Sequence, residues 1–181
     1  MDSLFGAAMS FGRDVKCDTC GKTETIRTTL IYHYVLPDNQ QLPGGAIPTW
    51  CFDCGGIRDA ERLPALERLA ECLADLQTNG LNEQALNDKA AFLGIGVDPQ
   101  QEYEKELARR SAALHWRSNR ISQPRCLVCS GTNHSPIQWT ENGCEHPGCS
   151  GTFKTQIAFH SVQGTYWEVD PEGNRLTERS K

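Results

Sequence analysis

The alternation of apolar and polar positions predicts a β-strand near the start of the chain. The run Thr25 to Leu36 (TIRTTLIYHYVL) is rich in β-branched and aromatic residues, which favour strands. Pro37 to Pro48 contains proline, asparagine, aspartate and adjacent glycines, and this composition predicts a turn and a loop. Leucines at helical spacing follow, and Pro64, which a helix tolerates only in its first turn, predicts a helix start at about Asp59 to Leu63.

Two further helices are predicted in the middle of the chain. Asn82 can cap a helix that runs to about Leu93. Asp98 followed by Pro99 is a typical cap and first-position proline for a third helix, which ends at about Asn119. The middle of the chain is therefore helical.

Short strands return after a linker at Ser122 to Arg125, and they include Phe153 to Val162 and Thr165 to Val169. The pattern predicts an α+β fold in which two β lobes are joined by a helical segment. The predicted boundaries are residues 1–56 for the N-terminal lobe, 57–122 for the helical segment and 123–181 for the C-terminal lobe.

Composition and charge exclude some classes of protein. The net charge of -5 is spread along the 181 residues, so no third of the chain is a basic arm built for nucleic acid. No apolar run approaches the roughly 18 residues needed to cross a bilayer. Met1 to Met9 carries an acid at Asp2 instead of the basic start of a secretory signal. We therefore expect a cytoplasmic protein that does not span a membrane.

The nine cysteines indicate metal binding rather than disulfides, because eight fall in close pairs and no signal peptide is evident. The ninth, Cys72, lies on the leucine stripe and is interpreted as a core residue.

The first predicted zinc site combines two C-x-x-C-G motifs. In each motif two thiolates flank a tight turn, and the glycine relieves strain after it. Because the second motif leads directly into the predicted helix, the arrangement resembles a treble clef, with the helix N-terminus favouring thiolate charge. A redox role is disfavoured, since no βαβ pattern surrounds either motif. The predicted ligands are Cys17, Cys20, Cys51 and Cys54.

The second predicted zinc site uses Cys126 and Cys129 as its first pair. Cys149 is expected as a third ligand, and both Cys144 and His146 are candidates for the fourth. We favour His146, because the sequence His-Pro-Gly-Cys places proline and glycine where a type II turn requires them and so brings residues 146 and 149 together. A site of four cysteines remains the alternative. With either ligand the site is closed, and we expect two zinc ions per chain in zinc-ribbon-like lobes.

Other candidate chemistry is sparse. The sequence has no phosphate-binding glycine loop, no G-x-S-x-G and no H-E-x-x-H, so we do not expect an enzyme. A cluster of arginines could contact phosphates, although its position near the end of the third helix also suits the helix dipole. Its members are Arg109, Arg110, Arg117, Arg120 and Arg125.

These motifs together resemble those of small bacterial double zinc-ribbon proteins, some of which are immunity proteins encoded beside secreted antibacterial toxins. The resemblance rests on the cysteine motifs, the run Trp50 to Pro64 and the His-Pro-Gly-Cys turn, while Ser130 and Ser150 replace the glycines more common in such motifs. It implies a non-catalytic protein that binds a toxin domain, and the acidic balance would suit a basic nuclease toxin. A zinc-ribbon protein that binds nucleic acid or assists transcription is the alternative function.

Overall fold

The computed structural model describes residues 10–27, 31–93, 96–162 and 166–176. The predicted α+β class is confirmed, with cysteine-rich β segments on both sides of the helices in the sequence. The chain divides into two compact units. One, which we call the β unit, consists of Met1–Leu63 and Ile121–Lys181, and the other, the helical unit, consists of Pro64–Arg120. The segments predicted as separate N-terminal and C-terminal lobes thus belong to the same compact unit.

The described strands form two sheets. They are β1 (Ser10–Cys17), β2 (Thr23–Arg27), β3 (Ile31–Val35), β4 (Gln41–Cys51), β5 (Gly56–Arg62), β6 (His134–Pro136), β7 (Cys144–Glu145), β8 (Thr152–Val162) and β9 (Tyr166–Val169). The first sheet has the order β2-β1-β8-β7 and is antiparallel throughout. The second has the order β5-β4-β3-β9 with β6 also paired to β4, and only its β3–β9 pair is parallel. Each sheet therefore combines strands from both ends of the chain.

The strands predicted near the C-terminus are confirmed as β8 and β9, although Thr165 lies outside the described residues. The single strand predicted for Thr25 to Leu36 is wrong, because β2 and β3 belong to different sheets. Residues 28–30 of that run lie outside the described part of the chain. Apolar composition marked both strands but could not show that the chain changes sheets between them.

The loop predicted for Pro37 to Pro48 is also wrong beyond residue 40, since β4 begins at Gln41. The glycine that suggested a turn instead makes room for a buried ring: a Cβ on Gly44 would lie 2.1 Å from the ring of Tyr32. Pro48 is tolerated in β4 because its backbone groups point away from β5, so its missing N–H removes no hydrogen bond of the β4–β5 pair. Its carbonyl accepts from Ile137 N at 3.2 Å on that other side.

The helix predicted to begin directly after the second cysteine pair is replaced by β5, which pairs with β4 over seven residues. The helices of the described chain are α1 (Leu66–Asn79), α2 (Glu83–Leu93) and α3 (Pro99–Asn119). The predicted cap of α3 is confirmed, because Asp98 Oδ1 accepts from Gln100 N at 3.0 Å and Gln101 N at 3.4 Å. In the helical unit, Leu76 of α1 and Trp116 of α3 are buried.

A shared hydrophobic core joins the two sheets of the β unit. Val15 and Phe153 come from the first sheet, and Trp50 and Ile57 come from the second. Cys17 and Cys144 lie in the same cluster. Cysteines from different parts of the chain are therefore held against one apolar core.

Candidate metal centres

The eight predicted ligands lie in two groups of four, and the ligand atoms within each group are all within 4.8 Å of one another. We call them the outer and inner sites, because the ligands of the inner site lie between those of the outer site in the sequence. The outer site consists of Cys17, Cys20, His146 and Cys149, and the inner site of Cys51, Cys54, Cys126 and Cys129. The prediction of two four-ligand metal sites per chain is confirmed.

The predicted pairing of the motifs is wrong. Cys17 and Cys20 were expected to join Cys51 and Cys54, but each site instead combines one motif from before the helical unit with one from after it. Strand pairing is the physical cause. β1 ends at Cys17 and pairs with β8, and β4 ends at Cys51 and pairs with β6.

The distances between ligand atoms fit zinc. Zinc–sulfur bonds of about 2.3 Å in a tetrahedron place two sulfurs about 3.8 Å apart, and the inner site has Sγ···Sγ distances of 3.6 Å for Cys51 with Cys129 and 4.0 Å for Cys54 with Cys126. In the outer site, Cys17 Sγ lies 3.7 Å from Cys149 Sγ. A disulfide would need about 2.05 Å. Four donors of cysteine and histidine at tetrahedral spacing are typical of structural zinc.

Two tight turns position the ligands of the outer site. Gly21 N donates to Cys17 O at 3.1 Å, and the glycine has a positive φ of 75° that favours this residue. Cys149 N donates to His146 O at 2.9 Å, as expected for the His-Pro-Gly-Cys turn. Gly151 allows the two halves to approach, because a Cβ there would lie 2.5 Å from Cys17 Sγ.

The structure places His146, not Cys144, in the outer site. His146 Nδ1 lies 3.5 Å from Cys20 Sγ, and a tetrahedral zinc ion would hold a thiolate and an imidazole nitrogen at about that separation. Cys144 is 2% exposed and forms part of β7 and of the apolar core. Burial raises the pKa of its thiol to about 11, which suits a neutral core residue rather than a thiolate ligand.

The inner site is built from two similar turns. Ser130 N donates to Cys126 O at 2.8 Å, and Cys126 N donates to Gly131 O at 2.8 Å, which closes the turn around Cys129. Ser130 has a φ of 58°, a conformation in which glycine is less strained. Phe52 N donates to Asn133 O at 3.0 Å and thereby joins the second motif to the third. Backbone hydrogen bonds therefore hold the two halves of the site in place.

The thiols of the two sites have different electrostatic surroundings. The backbone N–H of Cys20 lowers the pKa of Cys17 to about 6, which favours its thiolate. Burial raises the pKa of Cys126 to about 11. Because a metal binds the thiolate, loading the inner site must displace the proton of Cys126, and affinity there should fall as pH falls.

Trp50 connects the two sites, and its role was not predicted. It precedes the inner ligand Cys51, and its ring lies 4.8 Å from the ring of the outer ligand His146, centroid to centroid. Phe153 also contacts that imidazole, with 4.5 Å between the ring centroids. The aromatic residue before the cysteine motif was the only signal of this contact in the sequence. These rings fix the orientation of His146.

The arginine cluster is engaged within the protein. Arg109 and Arg110 both bond Glu106, with N···O distances of 2.6 to 2.7 Å. Arg117 donates to the Pro64 carbonyl at 3.0 Å. Arg125 donates to two backbone carbonyls, and Arg120 is only 5% exposed. Each of these arginines therefore has a partner within the protein or is nearly buried, which disfavours a role in binding a phosphate backbone.

Comparison with family models, curated proteins and solved structures gives no match for this chain. Within the described residues, no helix combines the length and the apolar character needed to cross a membrane.

Proposed function

We propose that this is a non-catalytic zinc-binding protein whose partner is another protein, and that it acts as a cytoplasmic immunity protein covering the active site of a cognate antibacterial toxin. The closed coordination of both sites carries the proposal. Four protein ligands complete a tetrahedron and leave no position for a water or a substrate. The zinc ions would then stabilise the β unit instead of performing chemistry.

The burial of the ligands supports the same role. In the inner site, Cys51 and Cys126 have no solvent exposure, and in the outer site His146 is 5% exposed. Cys20 and Cys129 are exposed, and each occupies the coordination position on the exposed side of its site. At sites of this kind, the free energy of metal binding is largely free energy of folding.

Exposed apolar side chains beside the inner site support a protein partner. Phe52 follows the first cysteine of one C-x-x-C motif, Val128 precedes the second cysteine of the other, and the two residues are 47% and 43% exposed. The turns that bind the metal hold both residues rigidly, so little conformational entropy is lost when a partner covers them. The net charge of -5 would also speed association with a basic nuclease toxin.

A co-expression experiment tests the proposal. The candidate toxin from the neighbouring gene is expressed with the protein, and both cell survival and the complex on size exclusion are measured. We expect protection by the wild type and loss of both readouts in Phe52→Ser/Val128→Ser, with two zinc ions retained. Phe92→Ser, in the helical unit at a residue 90% exposed, is the matched control and should protect. Neither complex nor protection with the wild type would reject the immunity function.

Binding to nucleic acid is the alternative, and the engaged arginines weaken it. If it were correct, affinity for DNA or RNA would fall steeply as salt rises, because each phosphate contact releases counterions. Weak binding with a flat salt response would reject it.

A further inference from the structure

A groove in the β unit has a volume of about 720 Å³. Its walls come from the ends of both sheets. β2 is the end strand of the first sheet and contributes Thr23 to Ile26, while β5 is the end strand of the second and contributes Ile57 to Asp59. Val128, one of the exposed residues beside the inner site, also lines it.

The backbone of β2 directs hydrogen-bonding groups away from β1, at the outer edge of the first sheet. The Cys17 N–H donates to Lys22 O, and Val15 is paired with Glu24, so alternation along an antiparallel pair turns the N–H and C=O of Thr23 and Thr25 away from β1. Both threonines line the groove. This edge has the geometry that an added strand requires.

The opposite wall is partly covered by the chain itself. Glu61 N donates to Arg125 O and Leu127 N donates to Asp59 O, both at 2.9 Å, so residues 125–127 pair with β5 as far as Asp59. By the same alternation the carbonyl of Ile57 also points away from β4, and it accepts from the Arg58 guanidinium at 2.5 Å. The edge of β2 is therefore the better site for a new strand.

The charges of the lining favour a basic occupant. The groove contains the carboxylates of Asp14, Glu24 and Asp59 and the guanidinium of Arg58. Lys22 Nζ also lies 3.4 Å from Glu24 Oε1, so acid exceeds base by one charge. Arg58 pairs with Glu24 at 3.1 Å, and the Thr25 hydroxyl donates to Asp14 at 2.7 Å. Glu24 is held over Gly56, where a Cβ would lie 2.5 Å from its Oε1. Lysine or arginine side chains along an incoming strand would complement this wall.

We propose that this groove binds an extended, basic segment of the partner protein, which adds as a strand to the outer edge of β2. The inference rests on the proposed protein-binding function and names the surface and the chemistry of the partner. Backbone hydrogen bonds to Thr23 and Thr25 would supply the affinity, and the acidic wall would select lysine or arginine side chains.

A proline substitution with a matched control tests the added strand. Thr25→Pro removes the outward N–H, whereas Thr25→Val keeps it, and both variants lose the hydroxyl bond to Asp14. The probe is a fluorescent peptide of alternating valine and lysine, about seven residues long so that it can span the edge of β2. Its counterpart with glutamate in place of lysine tests the charge. Zinc content and the far-ultraviolet circular dichroism spectrum verify that both variants fold.

We expect the lysine peptide to bind the wild type and Thr25→Val alike, and to bind Thr25→Pro at least about tenfold more weakly, since a lost interface hydrogen bond of about 1.4 kcal/mol is a factor of ten. The glutamate peptide should bind weakly to all three proteins. Equal affinity of the two threonine variants, no binding of the lysine peptide to the wild type, or equal binding of the two peptides would overturn the inference. So would a dimer of the wild type that Thr25→Pro dissociates, because the occupant would then be a second copy.

The toxin complex separates this inference from the proposed function. A complex that Thr25→Pro leaves intact would overturn the groove as the docking site while the immunity function stands. Binding of the lysine peptide at the β2 edge without any toxin complex would retain the groove and reject the immunity function.

Discussion

Serine substitutions at the metal ligands test the nested pairing of the motifs, in which the first motif joins the fourth and the second joins the third. Each intact site should stabilise the folded β unit by an amount that rises with the concentration of free zinc. The reason is that a ligand that binds only the folded state adds RT ln(1 + [L]/Kd) to the free energy of unfolding. At free zinc one thousand times Kd, that contribution is about 4 kcal/mol per site. Every further tenfold increase in free zinc adds about 1.4 kcal/mol per site.

Two double variants separate the nested pairing from pairing in chain order. Cys17 and Cys149 lie in the same site, with their sulfurs 3.7 Å apart, whereas Cys51 belongs to the other. Cys17→Ser/Cys149→Ser should therefore retain one site and behave like either single variant. Cys17→Ser/Cys51→Ser should lose both sites and about 8 kcal/mol, a large part of the stability of a typical domain.

The assay is urea unfolding followed by tryptophan fluorescence in buffers of fixed free zinc. The free energy of unfolding is plotted against log free zinc. We expect its slope to correspond to two sites in the wild type, one site in each single variant and in Cys17→Ser/Cys149→Ser, and no site in Cys17→Ser/Cys51→Ser. Cys72→Ser, which removes a cysteine outside both sites, should keep the slope of the wild type. The reverse result, with one site left in Cys17→Ser/Cys51→Ser and none in Cys17→Ser/Cys149→Ser, would refute the nested pairing.

Three further predictions concern single residues of the β unit and its turns. Gly151→Ala should weaken metal binding at the outer site in a chelator competition by at least about tenfold, because its Cβ would lie 2.5 Å from Cys17 Sγ; Gly96→Ala, which meets nothing within 4 Å, should not. Burial raises the pKa of Cys144 from 9.0 in an exposed thiol to about 11, so the stability it contributes is present below pH 9 and is lost as pH rises toward 11. Thermal unfolding should show the wild type losing roughly 1 to 3 kcal/mol more than Cys144→Ala over that interval, and equal losses would contradict the buried neutral thiol. Ser130→Gly should raise the free energy of unfolding in urea by less than about 1 kcal/mol, because a φ of 58° strains serine but not glycine, while glycine gains entropy in the unfolded chain and the bond from Arg175 N to Ser130 Oγ is lost; a lower free energy of unfolding in the variant would contradict the strain.

The identities of the ligands could be predicted because they depend on local spacing. A turn of four residues brings its first and last side chains together whatever the rest of the fold does, as His146 and Cys149 show. The same reasoning preferred His146 to Cys144, which the structure places in the core. Asp98 was recognisable as a helix cap for the same reason, since a cap bonds amides only two and three residues away.

The pairing of the motifs could not be predicted, because it depends on contacts between distant strands. Cys17 meets Phe153 across the β1–β8 pair, and no local pattern indicates that these two strands are neighbours. Proximity in the sequence favoured joining the motif of Cys17 and Cys20 to that of Cys51 and Cys54, and this was the wrong choice. The same limit hid β5. This strand pairs with β4 on one side and, at Glu61, with Arg125 on the other, and its residues show no clear alternation of apolar and polar side chains.

Nesting of the sites explains how the chain accommodates a helical unit between the cysteine motifs. The chain leaves the β unit after Leu63 and returns at Ile121. Close to these two points, Glu61 and Arg125 are joined by two hydrogen bonds, from Glu61 N to Arg125 O and from Arg125 N to the Glu61 carboxylate. The inner zinc site clamps the same junction through Cys54 and Cys126. Doubling the length of a loop costs only about 0.6 kcal/mol of closure entropy, far less than the 10 to 16 kcal/mol of a typical structural zinc site. The metal sites can therefore hold the two halves of the β unit together almost independently of what is inserted between them.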